Sequence, residues 1–225
     1  MVRPLHVRYM GRLSYGDGLL RQRELAEQRK QGLIEDTLLL LEHDPVVTLG
    51  RNGDATSIKG TTQAFEQAGV ELVESDRGGD ATFHGPGQVV AYAIIDLRPD
   101  RKDIRRYVRT LEEVMIQTLA EYGLDAGRMD GAPGAWFSGP DRKIGAIGAR
   151  VSRWVTHHGL ALNVNTDLSC FDLIVPCGLQ GKGVTSLEAE LGRRVSMIEV
   201  MEHIAKHMGA QFERQLVIEP TVGAA

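Results

Sequence analysis

Apolar positions change period several times along the chain, and each change marks an element. Leu5, Val7 and Tyr9 alternate with His6 and Arg8, the period of two expected of a first strand. Over 14–32 the spacing loosens to Leu19, Leu20, Leu25 and Ala26, which predicts a surface helix closing near Gly32. DTLLLLEH (36–43) reads as a buried strand, and the Asp44-Pro45 turn makes VVTLG (46–50) its hairpin partner. TTQAFEQAG (61–69) predicts a short helix with a threonine cap, and VELVES (70–75) a strand. VVAYAIIDL (89–97) is almost wholly apolar, as in a strand covered on both faces. Val108, Leu111, Val114, Met115 and Leu119 share one side of a helix over 105–124. After it come a tight turn at Gly139-Pro140-Asp141 and two longer strands folding back near Ser152-Arg153. An amphipathic helix over 196–212 closes the pattern. Strands and helices without regular βαβ alternation predict an α+β fold, a mixed, largely antiparallel sheet with flanking helices.

Composition narrows the picture little. The 225 residues are long enough to bury a substantial core. At 42% hydrophobic and 25% charged they are ordinary for a soluble globular protein. No run approaches the roughly 20 apolar residues of a membrane helix. The basic N-terminus lacks the apolar core of a secretory signal; the end of a transit peptide would fit it, but the alternation favours a strand. A net charge of −4 argues against general nucleic-acid binding. Two cysteines, Cys170 and Cys177, without an export signal, point to free thiols in a reducing compartment. His157-His158 lies on a strand, where successive side chains point to opposite faces, so no metal site is expected from the pair.

Three segments carry candidate chemistry. RGGDATFHGPGQ (77–88) holds four glycines, a proline and His84 between two strands. Such a loop can aim backbone N–H groups at a ligand, or it can be a bulged hairpin whose glycines only permit sharp turns. It is neither a Walker loop nor a dinucleotide fingerprint. In RKIGAIGARV (142–151) Lys143 opens a strand on which Gly145 and Gly148 clear space for something to lie against it. A lysine there is more often a solvated charge. In IVPCGLQGKGVTSL (174–187) Cys177 sits between proline and glycine, an irregular setting that a core cysteine does not need.

Together these segments resemble the octanoyltransferases of lipoate biosynthesis, relatives of the lipoate and biotin protein ligases. The likeness lies in EHDPVVTLGR (42–51), RGGDATFHGPGQVVAY (77–92), RKIGAIGARV (142–151), HGLALNVN (158–165) and VPCGLQGKGVTSL (175–187). Two positions depart from the family's habit: Phe83 stands for a tyrosine and Ala93 for a proline. The resemblance implies one ligase-like catalytic domain over 1–225, and a catalytic dyad of Cys177 and Lys143. It implies an acyl pocket formed by Arg77, Gly78, Gly79, Asp80, Ala81, Thr82, Phe83 and His84 with Gly145, Ala146, Ile147, His158, Gly159 and Ala161. It further implies octanoyl-acyl carrier protein as donor. The implied acceptors are lipoyl domains of 2-oxoacid dehydrogenase E2 subunits and the glycine cleavage H protein. No cofactor, metal, nucleic acid or membrane is expected, and the implied location is the cytoplasm. Because both partners are acidic in that pathway, Arg142, Arg150 and Arg153 are candidates for docking them. The competing readings are an ATP-dependent lipoate or biotin ligase, and a cysteine thioesterase using His84 or His158 as base.

Overall fold

The computed structural model describes residues 2–99, 102–138, 141–175 and 182–220. The Gly139-Pro140 part of the expected turn lies outside the described residues, and so does Cys177. The strands are β1 (Arg3–Leu13), β2 (Asp36–His43), β3 (Val46–Leu49), β4 (Glu71–Glu74), β5 (Ala81–His84), β6 (Gln88–Ile94), β7 (Gly134–Phe137), β8 (Arg142–Ser152), β9 (Val155–Asn163), β10 (Gly183–Val184) and β11 (Arg214–Ile218). The helices are α1 (Tyr15–Gln31), α2 (Thr62–Ala68), α3 (Ile104–Ala120), α4 (Leu187–Leu191) and α5 (Met197–Gln211). No helix among the described residues is long and apolar enough to cross a membrane.

The large sheet runs β10-β8-β9-β6-β2-β1-β11, with β7 also pairing with β8. Its middle, β2-β6-β9-β8-β7, is antiparallel, whereas β1 pairs with β2 and β11 in parallel and β10 joins β8 in parallel. The central strands are apolar throughout because both faces are covered. Leu38, Leu40, Val89, Ala91 and Ala93 meet α3 and α5 through Leu111, Met115, Ile204 and Met208. Leu39, Leu41, Val90 and Tyr92 meet α1 through Leu25 and Ala26 on the other face. This is the fold class expected from the sequence, an α+β architecture with a mixed sheet.

Two expectations need correction. Strand β3 is not the hairpin partner of β2. It crosses into a second sheet of order β4-β3-β5, parallel to β4 and antiparallel to β5. The alternating pattern specifies a strand but not the sheet it joins. On α1, Leu20 is 59% exposed, while Gln22 and Arg29 face inward. The helix buries these polar groups because each meets a partner. Gln22 Oε1 accepts the His158 backbone N–H at 2.6 Å, and Arg29 Nε donates to Asp36 at 2.8 Å. Arg214 Nε holds the other Asp36 oxygen at 2.9 Å, tying β11 and α1 to the start of β2.

Candidate active site

A cavity of about 570 Å³ opens between the glycine-rich segment, β8, β9 and the start of α3. It brings together almost all of the residues expected to form an acyl pocket. Arg77, Gly78, Gly79, Asp80, Ala81, Thr82 and His84 line one wall, and Gly145, Ala146, Ile147, His158, Gly159 and Ala161 another, with Lys143 on its rim. Phe83 is the exception. It packs edge-on against Phe171 beneath the small sheet, with ring centroids 5.6 Å apart.

The glycine segment is more than a loop, since β5 forms inside it and pairs with β3. Arg77, 6% exposed, is its internal brace. Its Nε donates to Thr48 Oγ1 at 2.9 Å, and its Nη2 to the Thr48 and Asp80 carbonyls at 2.6 Å each. The glycines beside it have different tasks. Gly79 has φ +84°, a conformation that disfavours a side chain. At Gly78 the need is proximity: its N–H donates to the Ala149 carbonyl at 3.1 Å, and a Cβ would come within 2.9 Å of that oxygen. At two β8 glycines the direction a side chain would take is likewise already occupied. A Cβ on Gly145 would lie 2.4 Å from Met115 Sδ on α3, and one on Gly148 2.9 Å from Arg77 Cδ.

His84 is neutral and its tautomer is fixed by neighbours. Gln88 Nε2 donates to the Phe83 carbonyl and to Asn163 Oδ1, so Gln88 Oε1 accepts from His84 Nδ1 at 2.7 Å. Asn163 in turn donates to the Thr185 carbonyl. Burial above all, with His43 and Arg77 nearby, lowers the His84 pKa to about 3. Nε2 is thereby left as an acceptor.

The histidine pair departs from simple alternation. His158 has φ +57°, and the two rings lie 5.1 Å apart, tilted by 30°. His158 Nε2 contacts Asp76 Oδ1 at 2.7 Å, and Arg150 and Arg23 pair with Oδ2. The hydrogen bond from His158 is the main reason the Asp76 carboxyl titrates far below its ordinary range. Asp76, His157 and His158 hold their ligand atoms within 4.8 Å of one another, but two guanidinium groups already supply positive charge there.

Lys143 occupies the other end. Its Nζ lies 5.2 Å from the centre of the Trp136 ring, and Lys182 Nζ lies 5.3 Å from the same ring. Trp136 is fixed in turn by Nε1 donating to the Ala132 carbonyl at 2.8 Å. Gly134 makes room for the lysine stem, since a Cβ there would lie 2.7 Å from Lys143 Cε. Cys170 is partly buried at the small sheet, where desolvation raises its pKa, the wrong direction for a nucleophile. Lining residues not anticipated from sequence include Tyr15, Gln88, Asn163, Ile104 and Val108. Val108 belongs to a helix stripe that reads as ordinary core, and Ile104 lies just before the start expected for that helix.

Residues 14–209 match the family model of the lipoyl protein ligase A/B catalytic domain. The chain is 48% identical over 219 residues to an octanoyltransferase of Solibacter usitatus, covering 97% of this chain and 98% of that one. It is also 48% identical over 215 residues to an octanoyltransferase of Myxococcus xanthus, covering 94% of this chain but 60% of that longer one. In three dimensions it is similar to a bipartite lipoate protein ligase of Thermoplasma acidophilum. The TM-score is 0.74 at 16% identity, with 98% of this chain and 88% of that chain covered. A likeness at that identity speaks for the fold alone.

Proposed function

The chain belongs to the family of the lipoyl protein ligase A/B catalytic domain and is an octanoyltransferase of protein lipoylation, and from that premise we propose how it moves the acyl group. Residues 1–225 act as one catalytic domain. Cys177 attacks the thioester of octanoyl-acyl carrier protein, and the carrier thiol leaves with a proton supplied by the Lys143 ammonium. A lysine amine of a lipoyl domain, on an E2 subunit or the H protein, then attacks the Cys177 thioester. Neutral Lys143 takes the amine proton, and Cys177 leaves as the thiolate beside the regenerated ammonium. The first step exchanges one thioester for another, so no nucleotide is consumed. The octanoyl chain lies in the cavity along β8, with the Arg77–Gly78 turn closing its far end.

Magnitudes decide what Lys143 must do. A free cysteine with pKa about 8.5 is a few per cent thiolate at neutral pH, and lowering that pKa by about two units raises the fraction roughly 20-fold. Nucleophilicity falls with a Brønsted slope of about 0.4–0.5, which takes back roughly an order of magnitude. A net gain of a few-fold is small beside the 10²–10⁴, roughly, that a placed general acid–base contributes. Proton transfer is therefore the larger role. The observation that carries this reading is the placement of Lys143 at one end of a cavity whose walls are the glycine segment and β8–β9.

The test is transfer without nucleotide. Octanoyl-acyl carrier protein and an apo lipoyl domain should give an octanoylated lysine in the absence of ATP. Modification only from free octanoate plus ATP would identify a ligase instead, and octanoate release without lysine modification a thioesterase.

A further inference from the structure

The three arginines considered for docking from sequence are already engaged: Arg142 with Glu190 at 3.1 Å, Arg150 with Asp76, and Arg153 with Glu27 at 2.7 Å. A different basic surface is not. Arg105, Arg106 and Arg109 are exposed on the first two turns of α3, with Lys102 just before its Asp103 cap. Among the described residues none of these four side chains forms an ion pair with a carboxylate; Lys102 Nζ lies 5.9 Å from the Trp154 ring centre. The placement is unfavourable by itself. Arg105 and Arg109 are like charges one turn apart, which weakens a helix. Cations near a helix N-terminus also oppose the backbone dipole, and the first turn holds no acidic residue. Between these arginines and the cavity lie Ile104, 50% exposed, and Val108, both lining it.

Resting on the acyl-transfer reading above, we propose that the N-terminal half of α3 is the docking surface for the donor, an acidic carrier protein bearing the octanoyl chain on a flexible thioester arm. Charge selects an acidic partner, and the apolar pair Ile104–Val108 gives the flexible arm an apolar edge along which to run toward the Lys143 end, where its acyl chain enters the cavity. Length selects the donor over the acceptor. Met115 packs at Gly145, close to Lys143, and Ile104 precedes it by eleven residues, about 16 Å along the helix. A lysine side chain on a docked acceptor does not span that distance, whereas an acyl group on a long arm does. The acceptor is left to approach at the Lys143 end.

Arg105→Glu/Arg109→Glu tests the surface with little risk to the fold, because acidic residues suit a helix N-terminus. Neither arginine lines the cavity. With octanoyl-acyl carrier protein, kcat/KM should fall roughly tenfold or more through KM, and its salt dependence should flatten. Acylation by octanoyl-N-acetylcysteamine, and the KM for the lipoyl domain, should stay within about twofold of wild type. Arg105→Gln/Arg109→Gln should give an intermediate loss. Unchanged kcat/KM with the carrier would overturn the proposal. So would a rise in lipoyl-domain KM, which would give the surface to the acceptor, or an equal loss with the small thioester. Carrier binding measured by interferometry reads docking apart from turnover. A wild-type enzyme that binds the carrier but transfers nothing would overturn the acyl-transfer reading and leave the surface standing.

Discussion

The two ends of the cavity are built in opposite ways. At one end the chain closes on itself: Arg77 braces the glycine segment, Gly78 bonds to Ala149, and Asp76 is clasped by His158, Arg150 and Arg23. Six positions back along β8 from Ala149, roughly 20 Å at strand spacing, two ammonium groups share one indole. Lys182 is held there by Asp141 at 3.6 Å, and of the two it is Lys143 that lines the cavity. The difference separates shape from chemistry. The Arg77 end is rigid because its polar groups are satisfied, which suits a wall against which an apolar chain stops. The Lys143 end keeps a cationic group at the cavity, as the proposed proton exchange requires.

The sharpest break of this division is Lys143→Arg. If the lysine only stabilised a thiolate, arginine would serve. Because it must give and take protons, and guanidinium stays protonated, Lys143→Arg and Lys143→Ala should both lose about 10² or more in turnover. Iodoacetamide should still alkylate Cys177 in the arginine variant. Near-normal turnover there would reduce Lys143 to a fixed charge.

A smaller effect is expected at the closed end. A side chain at Gly148 pushes into Arg77, so Gly148→Val should shorten the cavity. Octanoyl transfer should drop roughly tenfold, within the range set by one or two methylenes, while butanoyl transfer changes less. An unchanged ratio of the two would move the chain's end away from Arg77.

The smallest effect is a pH dependence of stability from buried neutral histidines. Burial lowers the pKa of His84 to about 3 and of His157 to about 4, below the ordinary 6.5. Unfolded chains take up these protons near pH 6.5 and folded chains do not. Stability is therefore intact above about pH 6.5 and falls as pH drops toward 4, by about 1.4 kcal/mol per unit for each histidine. His157→Phe should flatten that slope by about one histidine's share in urea titrations at pH 7, 6 and 5. His157 Nδ1 has no hydrogen-bond partner among the described residues, so the phenyl ring forfeits little there. An unaltered slope would mean His157 is protonated in the folded protein.

How far the chain could be read without coordinates follows from where local pattern decides. Strands β2 and β6 are visible because burial on both faces leaves a continuous apolar run, and α3 because one face is core. Nothing local says which sheet a strand joins: the Asp44-Pro45 turn points β3 back to β2, whereas it pairs with β4 and β5, and β11 at the sheet edge leaves no pattern strong enough to read. The glycine segment and Lys143 were legible as positions, but the glycines' reasons were not. Gly145 and Gly148 make room for Met115 and Arg77, partners more than 25 residues away in sequence. The turn of His157 toward His158 depends on a left-handed residue held by Gln22 on α1, which alternation cannot foretell.

On the proposed route the octanoyl group rests on Cys177 between donor and acceptor. The most direct measurement is peptide mass spectrometry after brief incubation with octanoyl-acyl carrier protein and no acceptor. An octanoyl thioester should appear on the peptide holding Cys177 and be discharged when an apo lipoyl domain is added. An adduct on Cys170 alone, or full turnover in Cys177→Ala, would contradict it.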